Sequence, residues 1–298
     1  MKTRVLLVNF GGPATLAEVP PFLGRLTGGA APAAAQEALM ERYRAIGGGS
    51  PLGPITRDQA ARIEDATGHR FPVGCAYRYT SPTLEEAIND CYKSGTERII
   101  FFVMSPYYTS RTVGAYMEVV EEYLRYFSLT SFRPKVTFIH SWYDEPLFID
   151  AWVERIREEA PEGTSFFLFS AHSLPRILQG EPYMSQVEET VAAVAGRLNL
   201  SRYAIGWQSV PRNTDEPWIG PTVEAVMDGI EGKASRLVEI PIGFVSDHLE
   251  TLYDMDIVHA RYAQALGITF SRMPSLNTYP PFIAACKAIL EKHLREGQ

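Results

Sequence analysis

The chain has 298 residues, enough for one large or two ordinary domains with a sizeable core in either case. It is 46% hydrophobic and 21% charged with a net charge of −7, the make-up of a soluble protein and a poor match to a nucleic-acid partner held by a basic surface. No apolar run approaches the roughly 18 residues that a membrane span needs.

In chain order, apolar strand candidates recur at 4–9, 71–77, 98–104, 135–140, 165–170, 203–207, 237–242 and 268–271. Several are near-continuous apolar runs, as expected of strands covered on both faces, and helical patterns separate them. The alternation predicts an α/β fold with parallel sheets. Four strands fall in each half, so two similar lobes are expected: an N-terminal lobe over 1–143, a C-terminal lobe over 144–275, and a last helix in 276–298 packing back on the first lobe. The first strand candidate begins directly after MKT, with no signal-peptide cleavage site. The segment 20–35, PPFLGRLTGGAAPAAA, reads as a loop with a weak helix after it. Ser81-Pro82 reads as N-cap and first-turn proline of a helix over 83–93. Cys75, Cys91 and Cys286 are odd in number and scattered, which fits buried small hydrophobes in a reducing cytoplasm rather than a zinc or iron–sulfur site.

The residues just beyond each strand carry the chemistry. After the first strand come Phe10, Gly11 and Gly12; after the second, Arg78 and Tyr79; after the third, Tyr107 and Tyr108. The fifth leads to His172, the sixth to Trp207 and shortly Trp218, and the seventh to EIPIGFVSDHLETLYDMDI at 239–257. In parallel sheets such ends lie on one edge, where ligands bind, so His172, His248, Glu250, Asp254 and Arg78 are expected in one cleft among aromatic side chains. Aromatic walls suit a flat apolar ligand of large area, and Arg78 suits a carboxylate on it. Histidines with carboxylates suit a metal in transit and protons being removed. Glu250 and Asp254 stand four apart, on one face of a helix, and Asp256 on another. The plain alternative is a capping box, with Asp247 at the N-cap and Glu250 folding back from N3. Gly11-Gly12-Pro13 is no dinucleotide fingerprint, and GGGSP at 47–51 lacks the lysine of a phosphate loop.

Six motifs in register name a resemblance. LLVNFGGP (6–13), YRAIGGGSPL (43–52), YRYTSPTLEEAI (77–88), FSAHSLP (169–175), WQS to PWIGP (207–221) and SDHLETLYDMDI (246–257) are similar to ferrochelatases. The resemblance implies two Rossmann-like lobes, a cleft between them, and insertion of Fe²⁺ into a porphyrin without an organic cofactor. It places His172 and Glu250 at the porphyrin centre, with His248 beside Glu250, Asp254 on an acidic line guiding metal along a helix widened into a π-turn, and His172, Glu250 and Asp254 as metal contacts. Arg78, Tyr79 and Arg44 match positions meeting the propionates. Trp218 matches an aromatic against the macrocycle, while Tyr108 and Trp207 complete the aromatic lining. Phe10 stands where relatives vary; lacking a hydroxyl to ligate iron, it favours protoporphyrin IX, with coproporphyrin III as the alternative. A further carboxylate often continues the acidic line four residues beyond Asp254; here that residue is Val258, with His259 beside it as a substitute. The short GGAAPAAA segment implies at most peripheral membrane contact, and three cysteines imply no iron–sulfur cluster. A haem carrier without insertion activity and a cobalt chelatase of the same fold are the competing readings.

Overall fold

The structure, a computed structural model, describes residues 1–211 and 215–296. It divides into two compact units, one of Met1–Trp142 together with the chain from Phe282 onward, the other Tyr143–Pro281.

The first unit is built on β1 (Thr3–Asn9), β2 (Val73–Tyr77), β3 (Arg98–Val103) and β4 (Lys135–Ile139), all parallel in the order β2-β1-β3-β4. Each residue of β3, RIIFFV, is buried, because an interior strand of a parallel sheet is covered on both faces. The helices are α1 (Val19–Thr27), α2 (Ala33–Ala45), α3 (Leu52–Ala66), α4 (Leu84–Lys93) and α5 (Ala115–Arg125). Leu6, Val8, Phe101 and Val103 form a core with Leu84 and Ile88 of α4 and Val120 of α5. The segment expected as a loop is α1. Its prolines, Pro20 and Pro21, sit in the first turn, where a missing N–H costs nothing, and the helix stops at Gly28 in the left-handed conformation. The cap of α4 is Thr83, not Ser81. Thr83 Oγ1 accepts from the Glu86 amide at 3.2 Å, and the Glu86 carboxylate accepts from the Thr83 amide at 2.8 Å.

The second unit repeats the plan with β5 (Phe166–His172), β6 (Tyr203–Gln208), β7 (Arg236–Ile240) and β8 (Thr269–Arg272), parallel in the order β6-β5-β7-β8. Its helices are α6 (Pro146–Glu159), α7 (Tyr183–Leu198), α8 (Val223–Ile230) and α9 (Ala260–Ala265). Leu168 and Leu237 from the sheet pack with Val223 and Met227 of α8 and Ala263 of α9. The strand orders of the two sheets match, so the duplication is visible in topology although no residue-level repeat exists. The last helix, α10 (Pro280–Glu296), joins the first unit: Arg70 pairs with Glu291, Arg98 Nη2 donates to the His293 carbonyl at 3.2 Å, and Phe282 stacks on Trp142.

Replacing Thr83 by Ala removes one arm of the capping box and is expected to cost about 1 kcal/mol. Urea unfolding of the variant checks this; an unchanged midpoint would mean the box adds nothing.

Candidate active site

At the carboxyl edge of the second sheet, His172 is the last residue of β5. Its Nδ1 is held by the Ser173 carbonyl, and Tyr183 Oη donates to the His172 carbonyl at 3.0 Å. His248 arrives from β7 through a turn that doubles back on β5. Gly243 makes that approach feasible: its amide donates to the Ser170 carbonyl, and a Cβ there would stand 2.8 Å from Ala171 Cα. His248 Nδ1 faces the Ser246 carbonyl at 3.0 Å, and its ring lies 4.6 Å from that of Phe244. A carbonyl only accepts, so both rings carry their proton on Nδ1, and both Nε2 atoms are left to meet a third group. That group is Glu250. His172 Nε2 lies 3.8 Å from Oε1, and His248 Nε2 lies 3.6 Å from Oε2. The two histidines differ. Burial pulls the His248 pKa down, but the Glu250 carboxylate, the Ser246 carbonyl and Asp247 outweigh it and hold the pKa above the usual 6.5.

No capping box forms. Asp247 is turned away, its carboxylate accepting from Asn277 Nδ2 at 2.7 Å and Arg272 Nη1 at 2.9 Å. Burial would raise its pKa, but Arg272 and Asn277 hold it below the ordinary carboxylate range. Thr251 Oγ1 ties the turn instead, accepting from the His248 amide and donating to the His248 carbonyl, each at 3.0 Å. The next helix is π-wound over Glu250–His259. Thr251, Met255 and His259, four apart, are its buried face. Glu250, Asp254 and Val258 form the adjoining line, so both carboxylates do share a face. Asp254 Oδ2 accepts from Ser209 Oγ at 3.2 Å, and Asp256 is engaged apart from them, by Arg272 at 2.7 and 3.0 Å. His259 does not substitute for the missing carboxylate at 258. It turns inward, with Nδ1 3.0 Å from both carboxylate oxygens of Glu239. Trp218 is half-buried, 6.4 Å from the His172 ring, and its indole N–H has no partner. Trp207 is buried against Tyr183 and plugs the core beneath this edge.

The first unit gathers its own set at the ends of its strands. Phe10 and Tyr79 pack 4.7 Å apart, with Phe22 of α1 edge-on to both. The Arg78 guanidinium lies 5.5 Å from the Tyr79 ring, and its buried Nε has no hydrogen-bond partner. Arg25, to which no sequence motif points, donates to the Tyr79 carbonyl at 3.1 Å. With Phe22, Tyr79 and Ser50 it lines a cavity of about 350 Å³. Arg44 sits on the exposed face of α2, paired with Glu37 at 2.6 Å. The Tyr108 ring is edge-on to His140, and Tyr107 is wholly buried.

The ferrochelatase family matches residues 2–294. The chain belongs to the ferrochelatase family. It is 34% identical to the coproporphyrin III ferrochelatase of Anoxybacillus flavithermus, covering 99% of this chain and 97% of that one. It is 33% identical to that of Halalkalibacterium halodurans, covering 100% and 99%. Among solved structures, SirB from Bacillus subtilis with Fe³⁺ superposes with a TM-score of 0.63 at 14% identity, over 100% of this chain and 98% of that one, a likeness of fold.

Ferrochelatases insert iron into a porphyrin. Among the described residues no three His, Cys, Asp or Glu groups gather as a cage for a metal ion, and none of the helices is long and apolar enough to cross a membrane. Sequence reasoning missed Ser209, Thr251, Arg272 and Asn277, which orient Asp254, the turn and Asp247. A basic residue ending the eighth strand and an Asn in the loop after it were the available signals. Glu250→Gln removes the charge that raises the His248 pKa, so His248 is expected to titrate at lower pH than in the wild type. An NMR titration of the imidazole checks this; an unmoved pKa would place the cause elsewhere.

Proposed function

We propose that this ferrochelatase inserts Fe²⁺ into coproporphyrin III, with His172 as proton acceptor, Glu250 as relay and Asp254 as a loose metal guide. The observation that carries the reading is the convergence of two backbone-tied imidazoles on the two oxygens of Glu250. Metal cannot enter a free-base porphyrin until the N–H protons leave, so a neutral nitrogen lone pair has to be present. His248, with its pKa raised by Glu250, faces the carboxylate and holds it in place. His172 is the more exposed of the two imidazoles, with its side chain 34% accessible, and its Nε2 takes the proton. Glu250, within 3.8 Å of one ring and 3.6 Å of the other, passes protons on. Asp254, oriented by Ser209, offers iron a single carboxylate, a hold weak enough to release it.

Phe10 alone favours protoporphyrin IX. The relatives matched over nearly their whole length bear the name of coproporphyrin III, which carries more propionates. The cationic supply around Tyr79 (Arg25 and Arg57 lining the cavity, and Arg78 with its unpartnered Nε) supports the more carboxylated ring. The haem-carrier reading is disfavoured because an axial ligand needs no carboxylate between two imidazoles.

Anaerobic Fe²⁺ insertion into coproporphyrin III and protoporphyrin IX, followed optically, tests both parts. The expected result is a higher kcat/KM with coproporphyrin III. In His172→Ala kcat should fall about a hundredfold or more while porphyrin still binds. Preference for protoporphyrin IX would return the decision to Phe10. Binding without insertion by the wild type would leave the carrier.

A further inference from the structure

Iron insertion as assigned to His172, Glu250 and Asp254 leaves a buried ion pair unused. Glu239, on β7, is 0% exposed, and β7 is an interior strand, paired with β5 on one side and β8 on the other. His259 is the last residue of the π-wound segment and is 3% exposed. Its Nδ1 lies 3.0 Å from both oxygens of Glu239, a charge-assisted contact reaching across 20 residues of chain. A carboxylate in that position is tolerable only when paired, since an unpartnered buried charge is strongly destabilising. Burial opposes the imidazolium, but Glu239, with Glu224 of α8 and Asp254 of the π-wound segment facing the same ring, holds the His259 pKa above the usual 6.5.

We propose that the Glu239–His259 pair is the clasp that holds the π-wound segment in register on β7, which makes His259 a positioning residue for Glu250 and Asp254. This rests on the roles proposed for those two carboxylates in iron insertion. A π-wound helix is rare and has little intrinsic preference for its own geometry, so tertiary fixings have to hold it. The fixings lie along one face. Thr251 binds the turn, Met255 Sδ meets Ser170 Oγ of β5 at 3.9 Å, and His259 binds β7. Of these three, only the last carries charge. Rewinding the segment by one residue toward ordinary α geometry would withdraw the imidazole from Glu239 and strand the carboxylate. The register with the imidazole on Glu239 is the one that sets Glu250 and Asp254 on the line beside this face. A displacement of about 1 Å in such groups is enough to cost a large factor in rate. Because the folded-state pKa is raised, the clasp is fully present below the ordinary imidazole pKa, and its contribution is lost as pH rises through the raised one.

The test compares wild type, His259→Phe, His259→Asn and Glu239→Gln in the full chain, by steady-state iron insertion and by amide hydrogen exchange over residues 250–258. His259→Phe should lower kcat about tenfold or more, with the porphyrin KM within about twofold, and should speed exchange in that stretch. Asn, whose amide N–H sits close to the position of Nδ1, should restore most of kcat and lose the alkaline decline that deprotonation of the imidazolium causes. A wild-type kcat in His259→Phe, unchanged exchange over 250–258, or an Asn variant no better than Phe would overturn the clasp. Should His259→Phe not fold, faster exchange confined to 250–258 in His259→Asn and Glu239→Gln supports the clasp, and unchanged exchange in both overturns it. If the wild type itself inserts no iron, the assigned activity fails, while the exchange comparison still decides the clasp.

Discussion

The site depends on how one largely enclosed carboxylate, Asp247, is satisfied. Placed in the turn between β7 and the π-wound segment, it has to be bound from several sides, and Arg272 and Asn277 do so. Arg272 also grips Asp256 on the far side of the turn, so one guanidinium fixes both the entry to the segment and its middle. With Asp247 engaged there, Thr251 ties the turn through the His248 backbone, and His248 and Glu250 face His172. Had Asp247 capped the helix in the ordinary way, Glu250 would have folded back on the backbone.

The same economy governs the histidines. Each gives its Nδ1 to a neighbouring carbonyl, Ser173 for His172 and Ser246 for His248, which fixes the tautomer without a second acidic residue. A single carboxylate then serves two imidazoles in unequal surroundings. The two rings meet it from different depths, His248 with a side chain 19% accessible and His172 with one 34% accessible.

Much of this was legible in the sequence. Near-continuous apolar runs such as 98–104 marked strands covered on both faces, and the polar residues after each strand marked the working edge. The six motifs placed His172, His248, Glu250 and Asp254 together. Local chemistry was harder to read. Pro20-Pro21 looks like a helix breaker until it is known to stand in a first turn, and Thr83 competes with Ser81 for the same cap. Glu239 was invisible as a partner. One carboxylate within LVEIPI carries no periodic signal, and its imidazole lies 20 residues away across a turn whose path depends on Gly243 lying against Ala171. Nor does any pattern of residues reveal which nitrogen of a histidine meets a carbonyl.

The setting of the tryptophans gives the protein an optical handle. Of its four, Trp142, Trp152 and Trp207 are at most 3% exposed, whereas Trp218 stands half-buried near the His172 ring with its N–H unpartnered. Emission at the red edge of the indole band therefore reports chiefly on Trp218, the one indole in a partly aqueous setting. A protonated imidazole quenches a nearby excited indole far better than a neutral one. The surroundings of the His172 ring, 6.4 Å away, are thus within reach of the emission of a native fluorophore.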